Sequence, residues 1–106
     1  MFAFLLLACV TAESYPTQSA SVVCARFAEC EKADFESAYD DPQDCKDDYE
    51  ALVQCLSDEC DFDAKAAGEA LSAVRSADCD DVGEASGNLG DAYTDCDELA
   101  VATCIF

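Results

Sequence analysis

CKDDYEALVQCLSDEC, residues 45–60, is the stretch whose reading decides the fold. It follows Asp41-Pro42, an N-cap residue with proline at the first helical position. Asp44, three residues past the cap, suits a capping box and faces the positive end of the helix dipole. Cys45, Tyr49, Leu52 and Leu56 then recur at spacings of four, three and four. That periodicity predicts a helix of about four turns with one apolar face. Cys45, Cys55 and Cys60 lie on or beside the face, so the helix is expected to reach its neighbours through sulfur.

Working outward, residues 21–39 read as a first helix. Val23, Phe27 and Cys30 fall at i, i+4 and i+7, with Cys24 beside them and Phe35 further on. Asp40-Asp41-Pro42 stops this helix and starts the next, and so short a connection predicts antiparallel neighbours. On the other side, Asp61 or Asp63 can cap a third helix running to about Ala77, with Ala67, Ala70, Leu71 and Val74 inward. Residues 80–90, DDVGEASGNLG, carry three glycines and read as a loop. From Asp91, the spacing of Tyr93, Cys96, Leu99, Ala100 and Cys104 predicts a short fourth helix, although residues 101–106, VATCIF, fit an extended strand equally well. The expected fold is all-α: a small disulfide-stapled bundle of three to four helices over residues 21–106.

A chain of 106 residues holds one domain whose apolar core alone is marginal. Nine cysteines with no histidine and no CxxC pair point to disulfides rather than to zinc, and hence to an oxidising compartment. Twenty-four acids against five bases (Arg26, Lys32, Lys46, Lys65, Arg75) give a net charge of −19. That balance excludes nucleic acid as a partner and adsorption of the protein surface to anionic lipid. Self-repulsion of this size makes covalent cross-links more necessary.

Residues 1–8, MFAFLLLA, are too short to span a bilayer, which takes about 20 residues, but fit the apolar region of a secretory signal peptide. Leu6-Leu7-Ala8-Cys9 resembles the lipobox of bacterial lipoproteins, which implies cleavage before Cys9 and lipidation of its thiol. No Lys or Arg precedes the apolar run, so the translation start is expected upstream of Met1. The rival route is cleavage after Ala12 at Val10-Thr11-Ala12, releasing a free protein. Either route removes Cys9 and leaves an even set for a closed framework: Cys24, Cys30, Cys45, Cys55, Cys60, Cys79, Cys96 and Cys104. Residues 9–20 are expected to form a lipidated flexible tether, because TAESYPTQSAS (residues 11–21) is small and polar with one proline. The LLLAC stretch, the polar tether and the spacing of CARFAEC (residues 24–30) with the later cysteines resemble the small cysteine-rich lipoproteins of unknown function of myxobacteria. The resemblance implies an outer-membrane or cell-surface address, with the membrane met through the lipid anchor. It carries no activity.

Antiparallel packing of the first two helices would sort the sulfurs to two ends. Cys30, Cys45 and Cys79 are expected at one end and Cys24, Cys55 and Cys60 at the other, with Cys96 and Cys104 supplying one partner to each. Bridged α-carbons must lie within about 7 Å. The expected hairpin pairing is Cys24–Cys55 and Cys30–Cys45, with Cys60 as an alternative partner because the two spacings differ. Cys45-x9-Cys55 also resembles half of the twin Cx9C pattern of mitochondrial intermembrane-space proteins. The other half fails, since Cys24 and Cys30 enclose five residues.

Without histidine there is no Ser-His or Cys-His arrangement, and the even cysteine set leaves no thiol for redox work. Asp40, Asp41, Asp44, Asp47 and Asp48 cluster at the start of the second helix, and Asp58, Glu59, Asp61 and Asp63 at its end. Neither cluster has the glycine and distal glutamate of a calcium loop, so both read as helix caps and solvated turns. No catalytic residue, metal site or cofactor is expected. The expected role is a surface- or periplasm-exposed structural or protein-interaction module. The alternative is a freely secreted inhibitor, effector or carrier.

Overall fold

The computed structural model describes residues 10–105. In chain order these form α1 (Tyr15–Cys30), α2 (Lys32–Ala38), α3 (Pro42–Glu59), β1 (Asp61–Phe62), α4 (Ala64–Ser76), α5 (Val82–Gly87), a 3-10 turn (Asn88–Ala92), β2 (Tyr93–Thr94) and α6 (Glu98–Ile105). The fold is a disulfide-stapled helical bundle with one minimal antiparallel ribbon, β1 on β2, pairing Asp61 with Thr94 and Phe62 with Tyr93.

The caps act as the sequence predicts. Asp41 accepts from the Gln43 N–H at 2.8 Å ahead of Pro42, and Asp63 accepts from the Ala66 N–H at 3.1 Å at the start of α4. Each such cap contributes about 1 kcal/mol. Asp44 sits in the first turn, where its charge meets the helix dipole, but its recorded bond is the backbone one from its N–H to the Asp41 carbonyl.

The first helix starts earlier than expected. Thr11 and Ser14 form a reciprocal knot, in which each backbone N–H donates to the other's hydroxyl at 3.0 and 3.1 Å. The Tyr15 N–H donates to the Thr11 carbonyl at 2.9 Å, and α1 follows. Residues 15–20 are therefore helix, not tether: Tyr15, Pro16, Ser19 and Ala20 are all buried, and Val10 packs on the same core. Small residues cover little apolar area, but they let α1 lie close against α4.

Two apolar clusters result. The larger gathers Tyr15, Val53, Ala67, Ala70, Leu71, Val74, Leu89, Ala92 and Tyr93, so all four residues expected on the inward face of α4 are buried in it. Tyr15, Phe62 and Tyr93 stack at centroid distances of 5.4 to 5.8 Å. Tyr15 Oη donates to the Leu89 carbonyl at 2.8 Å, so its buried hydroxyl is satisfied. From α3, Val53 is the buried residue in this cluster, while Tyr49 and Leu56 pack from its flanks.

The smaller cluster holds Cys24, Phe35 and Cys45, with Phe27 and Tyr39 against it. Eight residues along an unbroken helix would separate Phe27 from Phe35 by about 12 Å of rise. The chain instead breaks at Glu31, which ends α1 and begins α2, and the two rings meet edge-to-face at 5.4 Å.

Residues 82–92 depart from the expected loop. Val82 and Leu89 are buried anchors, and α5 and the 3-10 turn both pack on α4. Beyond the ribbon, Asp95 takes a left-handed conformation (φ 53°), which aspartate tolerates, and Asp97 then caps α6 by accepting from the Leu99 N–H at 3.0 Å. The closing segment is thus helical up to Ile105, and Leu99 is 80% exposed.

Candidate functional site

All eight framework cysteines are paired: Cys24–Cys45, Cys30–Cys79, Cys55–Cys104 and Cys60–Cys96, with Cα separations of 4.5 to 6.0 Å. The expected pairs Cys24–Cys55 and Cys30–Cys45 are not formed. The reason is register. Thr17 Oγ1 donates to Glu50 Oε2, and Ser57 Oγ donates to the Ala12 carbonyl. These contacts fix α1 antiparallel to α3 such that Cys24 comes opposite Cys45. Because α1 begins at Tyr15, Cys24 lies beyond the middle of the helix and belongs with Cys30, Cys45 and Cys79. The opposite end receives both Cys96 and Cys104. The Cys60–Cys96 bond lies just beyond the β1–β2 ladder and ties the residue before β1 to the segment after β2.

Cys9, the expected lipidation residue, lies outside the described residues. No helix among the described residues is long and apolar enough to cross a membrane.

The acidic clusters do not converge on a buried point. Apart from half-buried Glu50, every one of the twenty-four acids is exposed. Asp41 and Asp63 serve as caps, and Asp47 and Asp58 accept from Gln43 and Gln54 one turn earlier. Asp40, Asp44, Asp47 and Asp48 line an open depression beside Tyr39. Among the described residues two ion pairs form, Arg26 with Glu29 and Lys32 with Glu36. The great majority of the acids thus have no basic partner. Glu29, Cys30 and Cys79 bring three potential ligand atoms within 4.8 Å of one another, but both sulfurs belong to the Cys30–Cys79 bond.

The ionisable groups held in apolar surroundings are tyrosines. Burial pushes the Tyr15 hydroxyl well above its ordinary range, and burial likewise raises Tyr49 and Tyr93. They are neutral packing residues. The Tyr93 hydroxyl faces the Val53 carbonyl at 3.4 Å.

One of the concavities is largely apolar and lies between two elements. A cavity of about 250 Å³ opens between α1 and α5, lined by Val23, Phe27, Cys30, Cys79, Val82 and Gly83, with Glu31 at its edge. The sequence periodicity had placed Val23, Phe27 and Cys30 on one face. What it missed was the opposing wall, because residues 80–90 read as loop. Val82 in front of a glycine-containing turn of helix was the available signal. Comparison with family models, curated proteins and solved structures finds no match to this chain.

Proposed function

We propose that this chain is a lipid-anchored, extracytoplasmic protein-interaction module, held at a bacterial outer membrane or cell surface through Cys9. The observation that carries the reading is the closure of the framework. Every cysteine among the described residues is in a disulfide, which speaks for an oxidising compartment and leaves Cys9 no described thiol to pair with. The Leu6-Leu7-Ala8-Cys9 stretch supplies the complementary motif.

The rival route, cleavage after Ala12, fits less well with the packing. It would remove Thr11, whose carbonyl accepts from the Tyr15 N–H and whose side chain holds Ser14. It would also remove Val10 from the main core. Cleavage before Cys9 keeps both, and puts the folded body directly beside the anchor. A body with so many unpaired acids and no histidine suits binding rather than acid–base or nucleophilic catalysis.

The test is fractionation in a Gram-negative host, the chain being expressed behind a basic leader segment. The native chain should partition with membranes, and Cys9→Ala should move it to the soluble fraction. Unchanged partitioning overturns the anchoring. Stable attachment requires more than one acyl chain, each buried CH₂ contributing about 0.8 kcal/mol.

A further inference from the structure

The cavity between α1 and α5 has the features of a one-residue docking pocket. Its walls are Val23 and Phe27 from α1, Val82 and Gly83 from α5, and the Cys30–Cys79 bond closing one side. These walls are fixed at several points. Phe27 is held edge-to-face on Phe35, Val82 is buried, and the disulfide ties the end of α1 to the segment leading into α5. Arg26 adds a polar tie, donating to the Ala77 carbonyl at the end of α4. A pre-formed apolar pocket of this kind has no ordering cost to meet when it is filled.

Gly83 adds no side chain to this wall. A Cβ built there meets nothing within 4 Å, and the residue has no backbone conformation that demands glycine. Glycine weakens a helix by about 0.5–1 kcal/mol relative to alanine, so its place on this wall leaves room at the expense of helix stability.

The surroundings select the sign of the occupant. Glu31 lines the edge, and the exposed acids Asp78, Asp80, Asp81 and Glu84 adjoin the lining residues in sequence. The bases on these segments are already engaged: Arg26 with Glu29 and the Ala77 carbonyl, Lys32 with Glu36. An anionic ligand entering this pocket would be repelled by a body of charge −19. A cationic one would be steered toward it.

We infer that this pocket receives a single aromatic side chain of a basic polypeptide partner, the flanking lysines or arginines of that segment lying over the acidic rim. The aromatic anchor would fill the apolar pocket, and the surrounding charges would set on-rate and selectivity. The inference rests on the protein-interaction reading, but not on the lipid anchor, so it is tested on the oxidised soluble body.

The probe is a short lysine-flanked peptide with one central phenylalanine, compared with the same peptide carrying serine and with a glutamate-flanked version. Binding is read by calorimetry and by chemical-shift changes at physiological ionic strength. The phenylalanine peptide should bind and perturb Val23, Phe27 and Val82. Replacing phenylalanine with serine should weaken binding by roughly tenfold or more, and the glutamate version should not bind. Gly83→Leu, which adds a bulky side chain at the pocket wall, should produce a similar loss while keeping the helical circular dichroism of the native body. If Gly83→Leu does not fold, the phenylalanine-to-serine comparison on the native body decides alone. Equal binding of the phenylalanine and serine peptides would mean diffuse charge attraction only, and overturns the pocket. Binding that depends on phenylalanine but perturbs residues elsewhere overturns its location. Failure of every peptide to bind overturns the docking proposal and leaves the membrane address standing.

Discussion

The two apolar clusters solve the same problem by different means. Around Tyr15 nine buried residues from α1, α3, α4, the 3-10 turn and the ribbon meet, and no bridge joins two of them. Around Phe35 only three residues are buried, and two of those are the sulfurs of one bond, Cys24–Cys45. Where enough apolar surface is shared among elements, burial forms the centre and a bond, Cys60–Cys96, packs only at its margin. Where a seven-residue helix lies on two aromatic neighbours, the centre is instead a covalent link between α1 and α3, the helices on either side of it.

The comparison breaks most visibly at Leu71, which is 1% exposed at the centre of the larger cluster. Leu71→Ala should destabilise the whole body by about 2–5 kcal/mol, read by denaturant unfolding with disulfides intact. A loss well under 1 kcal/mol would mean that the bridges, not the core, hold this half.

Somewhat smaller and more local should be the effect of Cys24→Ala with Cys45→Ala. Closing a loop with a sequence separation of 21 contributes about 3 kcal/mol in the chain-entropy account. Amide exchange should show α2 losing protection while α4 keeps it. Equal loss in both would show that the two clusters unfold as one unit, and the contrast drawn above would fail.

Smallest is Tyr15→Phe, which leaves the ring and removes the hydroxyl. It should cost about 1 kcal/mol at neutral pH, because the buried Leu89 carbonyl loses its donor. The same substitution reads out the pH dependence. The folded Tyr15 pKa is raised, so its neutral form adds stability that is complete below the unfolded value of about 10 and is lost as pH rises above it. Stability should therefore fall in that alkaline range, with Tyr49 and Tyr93 contributing in the same direction, and Tyr15→Phe should fall less steeply. Identical slopes would remove Tyr15 from the account.

Much of the architecture was legible because it depends on local rules. Asp41-Pro42 and Asp63 start helices through backbone donors within a few residues, and Ala67, Ala70, Leu71 and Val74 share a face by periodicity alone. The start of α1 was not, since Thr17 to Ser21 look like a linker on any hydrophobicity scale. The burial of Ser19 and Ala20 within that run follows from size, not from apolar character, and from Tyr15 anchoring the run from one end. That single misplacement moved Cys24 to the wrong end and with it the bridge pairing. The pocket was hidden for a related reason. Three glycines argue for a loop, but the Cys30–Cys79 bond before them and Val82 and Leu89 among them hold residues 82–92 against α4. Tertiary constraint outweighed local propensity there.

The bridge pattern also bears on how such a chain is made. Taken along the sequence, its cysteines run 24, 30, 45, 55, 60, 79, 96 and 104, and none of the four bonds joins neighbours in that order. Oxidation that followed the chain as it crossed a membrane would couple 24 with 30, 45 with 55, 60 with 79 and 96 with 104. Every one of those bonds is foreign to the folded protein. Eight thiols admit 105 complete pairings, so first contact is a poor guide to the right one. For bonds made in that order, arrival at the native set would take thiolate attack on bonds already made; oxidation that waits for the folded body would need none.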